Sequence, residues 1–131
     1  DAEVALAALL VRLARADNRY SDDERSRIET ILARRRGLTR TEAAECRAAA
    51  EMIEAEAPDT VRFTRTIKER IALDERADVL AALWETAYAD GRRGADEESL
   101  VRLVSGLLGV SDRDSALVRQ RVLAELGLSD Q

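Results

Sequence analysis

"ARADNRYSDDER" (residues 14–25) and "AYADGRRGADEE" (residues 87–98) are one acidic phrase written twice. Aligned, they share Ala14/Ala87, Ala16/Ala89, Asp17/Asp90, Asp23/Asp96 and Glu24/Glu97, each pair 73 residues apart. The flanks repeat as well. An apolar run leads into each copy: Val4, Leu6, Leu9, Leu10 and Leu13 before the first, Val79, Leu80, Leu83 and Trp84 before the second, continued by Ala87 at its start. Past each copy stands a glycine stop, Gly37-Leu38-Thr39 and then Gly109-Val110-Ser111, now 72 residues apart, so one residue was gained or lost between them. Helical spacing recurs along these stretches, and sustained alternation of the strand kind does not.

Working outward, seven helices are expected. The first covers about residues 2–17, is apolar on nearly every side and should be central. The second opens on Ser21-x-x-Glu24, a capping-box spacing, carries Ile28, Ile31 and Leu32, and stops at Gly37 after about Arg36. The third opens on Thr39-x-x-Glu42 and ends near Glu56. A fourth starts around Pro58, a residue suited to a first turn, and carries Val61, Phe63 and Ile67. The fifth runs from about Asp74 to Asp90 and the sixth from about Ala95 to Leu108. The seventh opens on Ser111 with Asp114 three residues on, and carries Leu117, Val118, Leu123 and Leu126. Helices one to three then match five to seven, with the fourth as connector. The expected fold is all-α: a compact seven-helix bundle in one domain, residues 1–131, built from similar halves of about 2–56 and 74–128. A pseudo-two-fold relation between such halves would bring the two acidic loops together.

Composition agrees. The chain has 131 residues, 46% hydrophobic and 36% charged, with 3% aromatics and one proline, a balance that favours soluble, long-helix structure. A net charge of −5 argues against nucleic acid as a partner, and the basic residues are dispersed among acids except at Arg34-Arg35-Arg36. That triplet falls in the last turn of the second helix, where cations complement the dipole; a phosphate- or RNA-binding patch is the other reading. The one cysteine, Cys46, stands among small apolar residues and reads as a buried, inert thiol. The chain has no histidine, which removes the usual general base and the usual ligand for zinc, copper or nickel. No apolar run is long enough to span a bilayer: "VALAALLVRLARA" (residues 4–16) comes nearest and is broken by Arg12 and Arg15. No signal-peptide pattern is visible.

The acidic phrase admits three readings. In the first it only punctuates helices: Asn18 and Gly91 tolerate a turn, Ser21 caps, and Glu24 bonds back to the cap. This accounts for Glu24 better than for Glu97, whose cap position holds Gly94. Nor does it explain an aspartate at the end of a helix, where an anion opposes the dipole. In the second reading Asp17, Glu24, Asp90 and Glu97 are four carboxylates around a hard divalent cation, Ca2+, Mg2+ or Mn2+. The spacing is not that of an EF-hand. The third, paired carboxylates for acid-base hydrolysis, is disfavoured, because Trp84 and Phe63 fall on apolar helix faces rather than in a substrate pocket. No enzyme activity is expected.

At these residues the chain resembles the TerB-like family of tellurite-resistance proteins. That family carries an A-D-G-x-x-x-x-x-E phrase in each half of an all-helical domain. The resemblance extends to "VRFTRTIKE" (residues 61–69) and "LVRLVSGLLGVSD" (residues 100–112), and is closest to the stand-alone bacterial branch. It implies a seven-helix fold and a metal site formed by Asp17 and Glu24 of the first copy with Asp90 and Glu97 of the second. It implies a non-catalytic stress-response module in the cytoplasm, working with partner proteins at the inner face of the membrane without spanning it. Asn18 departs from the family's glycine, which affects loop geometry and not the fold. The family name is no guide to a reaction: a cluster of carboxylates would repel a tellurium oxyanion. A metal-free scaffold, with acidic loops serving only as caps, is the competing expectation. Oligomeric state is not legible in the sequence.

Overall fold

A computed structural model describes residues 2–16, 20–57, 59–89 and 94–128. Among the described residues there are seven α-helices and no strand: α1 (Ala2–Arg15), α2 (Asp22–Arg36), α3 (Arg40–Ala55), α4 (Thr60–Lys68), α5 (Arg76–Ala87), α6 (Ala95–Leu107) and α7 (Asp112–Glu125). The expected all-α bundle is what the chain forms.

Helix ends follow their local chemistry. Thr39 and Glu42 complete a reciprocal capping box: the Glu42 amide donates to Thr39 Oγ1 at 3.1 Å and the Thr39 amide to Glu42 Oε1 at 2.8 Å. Ser21 Oγ accepts from the Glu24 amide at 3.3 Å, and Ser111 Oγ from the Asp114 amide at 3.1 Å. Gly37 and Gly109 end α2 and α6 with φ of 66° and 79°, where a side chain would be strained.

The boundaries depart from expectation at four places. α4 begins at Thr60, not Pro58, because Asp59 Oδ1 takes the first amides, Val61 at 2.9 Å and Arg62 at 3.2 Å. Pro58 itself lies outside the described residues. α5 begins at Arg76, after a 3-10 turn over Leu73–Glu75 closed by the Glu75 amide on the Ala72 carbonyl at 2.9 Å. It ends at Ala87, and α1 at Arg15, each short of its aspartate. On α7 the buried positions are Ser115, Val118, Val122 and Leu123, while Leu117 and Leu126 face outward, 50% and 38% exposed.

Two apolar helices form the centre. α1 buries Leu6 through Val11 without interruption, then Leu13 and Ala14, and α5 buries Val79 through Trp84 and Ala87. They pack on each other. α1 rests most extensively on α3, and α5 on α7. α3 offers α1 a stripe of small side chains, Ala43, Cys46 and Ala50, at a spacing of three and four residues, which permits close approach. The Cys46 thiol sits inside this contact, where burial, helped by the charge of Glu3, pushes its pKa up. The inert-thiol reading thus has its cause in packing. Trp84 and Phe63 are core, as expected. Trp84 stacks on Tyr88 with ring centroids 5.7 Å apart and its indole donates to Ser115 Oγ at 3.4 Å.

The arginine triplet at the end of α2 is taken up by carboxylates of other helices. Arg34 and Arg35 share Glu85 of α5, Arg35 also meets Asp78 at 3.1 Å, and Arg36 meets Glu3 of α1 at 3.1 Å. A dipole role remains compatible with this, but the guanidinium groups are engaged within the fold.

Candidate functional site

Both copies of the acidic phrase lie where a central helix gives way to a peripheral one. The first follows α1 and leads into α2; the second follows α5 and leads into α6. Glu24 is the third residue of α2 and Glu97 the third residue of α6. Both therefore stand beside unpaired amides in a first turn, where the dipole favours a negative charge. Asp17 and Asp90 lie outside the described residues, so Glu24 and Glu97 are the two proposed ligands the structure places. Among the described residues no group of three or more His, Cys, Asp or Glu side chains could by itself hold a metal ion.

The starts of α2 and α6 differ in one informative respect. Ser21 caps α2 with its hydroxyl, whereas Gly94, at the corresponding place before α6, has no side chain to offer. A Cβ built at Gly94 would lie 2.8 Å from Glu97 Oε1. The Glu97 carboxylate thus curls back over the cap residue, as that of Glu42 does over Thr39, and its end would shift if position 94 carried a side chain. The sequence marks Gly94 only as a missing cap; its consequence for Glu97 needs coordinates.

The end of α1 and the second turn of α6 border one cleft. Ala16, the residue before Asp17, and Leu100, one turn beyond Glu97, line the same open cleft of about 540 Å3, together with Arg12 and Arg15. These two arginines are held by Glu54 of α3: Arg12 Nε lies 3.2 Å from Glu54 Oε2, and Arg15 pairs with Oε1. Arg12 also donates to Thr60 Oγ1 at 2.6 Å and to the Ala57 carbonyl. Sequence reading missed this cluster, because Arg15 and Glu54 are 39 residues apart and no local pattern links them.

A tyrosine stands at each phrase in a different way. Tyr20 donates its hydroxyl to Glu51 Oε2, and Arg15 and Arg25 lie over its ring with guanidinium carbons 5.0 and 4.9 Å from the centroid. Burial, reinforced by the Glu51 carboxylate, pushes the Tyr20 pKa up to about 12. Burial would raise the Glu51 carboxyl too, but hydrogen bonds from Tyr20 and Arg47 hold it below its usual value. On the other side Tyr88 is buried and donates to Glu98 Oε2 at 2.6 Å; burial and that carboxylate raise its pKa. These contacts fix the frame around both loops and leave Glu24 and Glu97 in the first turns of their helices.

No helix among the described residues is long and apolar enough to cross a membrane. No curated protein and no solved structure matches the chain. The family model described as "Tellurite resistance protein TerB" matches residues 3–120, nearly the whole sequence and both acidic phrases. The chain belongs to the TerB family.

Proposed function

We propose that this protein is a non-catalytic helical module that binds a divalent cation between its two acidic phrases and works through protein partners. Asp17, Glu24, Asp90 and Glu97 would hold the ion, and oxygen donors of this kind suit Ca2+, Mg2+ or Mn2+. The observation that carries the reading is the placement of Glu24 and Glu97 at the same third position of α2 and α6, each near the end of one copy of the acidic phrase, with the Glu97 carboxylate turned back over Gly94. A cation there would offset repulsion among the converging carboxylates and would join the α1–α2 corner to the α5–α6 corner. The order of elements supports a duplicated origin: α2 and α6 start 73 residues apart, and α3 and α7 start 72 apart. We read residues 2–56 and 74–128 as matched halves of one domain. The non-catalytic part rests on chemistry: the chain has no histidine, and its one cysteine is buried. Its expected setting is the cytoplasm, beside the inner face of the membrane.

The competing reading is a metal-free scaffold whose acidic loops only cap helices. Ser21, which accepts from the Glu24 amide, is the observation in its favour. The two readings part in a thermal melt of chelator-stripped protein with added Ca2+, Mg2+ or Mn2+. At a free concentration 100 times the dissociation constant, binding to the folded state alone adds ~2.7 kcal/mol. For a domain of this size that is a rise of roughly 8–13 °C. The rise should vanish in Asp17→Asn/Asp90→Asn. Indifference to all three ions would leave the scaffold.

A further inference from the structure

A second cleft lies away from the acidic phrases. After their junction α3 and α4 diverge: among the described residues the two helices do not pack on one another, and the first turns of α1 floor the gap between them. The cleft holds about 670 Å3. Its floor is Val4, Ala5 and Ala8, and its walls are Ile53 of α3 with Phe63 and Ile67 of α4. The small alanines leave the room, and Phe63 and Ile67, 6% and 3% exposed, give it depth.

Its rim is polar in a directed way. Arg12, Arg15, Arg25, Arg34, Arg35, Arg36 and Arg47 form ion pairs with carboxylates, whereas Arg27, Arg40 and Arg65 are among the described arginines that form none. Among the described residues Arg62 and Arg70 also form none, and both line this cleft, Arg62 from the first turn of α4 and Arg70 from the turn just after its end. Two acids also reach it, at the end where α3 and α4 join. Asp59 commits Oδ1 to capping α4, and Glu56 faces outward. An anionic head is therefore driven away from the junction and toward Arg62 and Arg70.

Size admits a small ligand. Ligand cavities run to ~300–1,000 Å3, and this one falls within that range. A docked helix would enter such a groove by one apolar face, so the arginines and not the volume favour an acyl chain with an acidic head, and competition with an acidic helical peptide separates the two. We propose that this cleft binds a long-chain fatty acid, with its hydrocarbon tail between α3 and α4 and its carboxylate on Arg62 and Arg70.

The test is displacement of a dansyl-labelled fatty acid from the whole chain, read by fluorescence below the micellar concentration. Oleate should displace it saturably at one site per chain, and methyl oleate, which lacks the charge, about tenfold less well. Arg62→Ala/Arg70→Ala should weaken oleate about tenfold and leave methyl oleate unchanged. Ala49→Trp, at an exposed position on the wall, should abolish binding of both; Ile53→Trp serves in its place if the first variant's melt shows lost structure. Absence of saturable binding would overturn the proposal, as would equal affinity for acid and ester, or an unchanged affinity in the arginine variant. An acidic helical peptide that binds the cleft and resists oleate would also overturn it. So would a dimer abolished by Ala49→Trp in a chain that takes no fatty acid.

Discussion

Glu85→Ala should destabilise the protein more than any other single removal among the acids that meet the arginine triplet. Glu85 lies on α5 with a side chain 13% exposed, and it holds Arg34 and Arg35 of α2 together, with Arg35 Nη2 at 2.9 Å. Stripping one partner from a buried pair costs ~3–5 kcal/mol. Three features reduce that figure here. Arg35 keeps Asp78 at 3.1 Å, Arg34 is 54% exposed and regains water, and alanine returns a few tenths of a kcal/mol, roughly, through helix propensity. The expected loss is therefore about 2 kcal/mol, a fall in the thermal midpoint of about 6–10 °C. Asp78→Ala removes a carboxylate whose side chain is 42% exposed, and should cost less than ~1 kcal/mol. Urea and thermal melts of both variants measure the difference. It should persist at about half-molar salt, since pairs largely withdrawn from water are weakly screened. A loss under ~0.5 kcal/mol for Glu85→Ala, or one equal to that of Asp78→Ala, would refute the view that Glu85 anchors the triplet.

Other perturbations test other levels of the structure. With the Tyr20 pKa raised to about 12, the folded chain keeps this hydroxyl protonated after the unfolded chain has begun to ionise near 10. Its contribution is therefore complete below pH ~10 and is lost as pH rises toward 12; after solvent screening it amounts to ~1 kcal/mol. Absorbance titration of tyrosinate together with alkaline melts should show this loss, and Tyr20→Phe should remove it. Gly106 lies inside α6 with nothing within 4 Å of a built Cβ, so Gly106→Ala should gain ~0.5–1 kcal/mol in a denaturant melt. Gly37, at φ +66°, also has open space, yet Gly37→Ala should lose ~1 kcal/mol, because backbone conformation and not crowding is the obstacle. Gly94→Ala should leave the melt of the ion-free protein nearly unchanged, since only the flexible end of Glu97 must move, and should weaken divalent-cation stabilisation by displacing that carboxylate. Undiminished cation stabilisation in this variant would separate Glu97 from any ion.

The parts of this fold that were readable in the sequence are those specified within one helical turn or by apolar density. Ser21, Thr39 and Ser111 mark helix starts because the donor and acceptor of a cap are three residues apart. The centrality of α1 follows from an apolar surface with no polar side, and the core placement of Trp84 and Phe63 from their helix faces. Asp59 was equally local and still passed over, because Pro58 suggested a start that the Asp59 carboxylate moves to Thr60. What could not be read is the set of contacts with no local signature: Glu85 with Arg34 and Arg35, Glu54 with Arg12 and Arg15, Tyr20 with Glu51. Each joins segments far apart in sequence and depends on which surfaces meet. The candidate metal site falls between these cases. Residue types and their doubled spacing were legible, and so was the bare cap at Gly94. Its geometry lies in three dimensions: a serine at that position would cap α6 as Ser21 caps α2, but its Cβ would come within 2.8 Å of Glu97 Oε1, so the end of that side chain would have to shift. The second copy gives up a side-chain cap of ~1 kcal/mol and keeps the carboxylate where it is. Thr39 and Glu42 show that a side-chain cap and a carboxylate turned back from the third helical position can coexist, so the bare cap alone does not assign Glu97 a ligand, and the cation melt of Gly94→Ala is what separates the two readings.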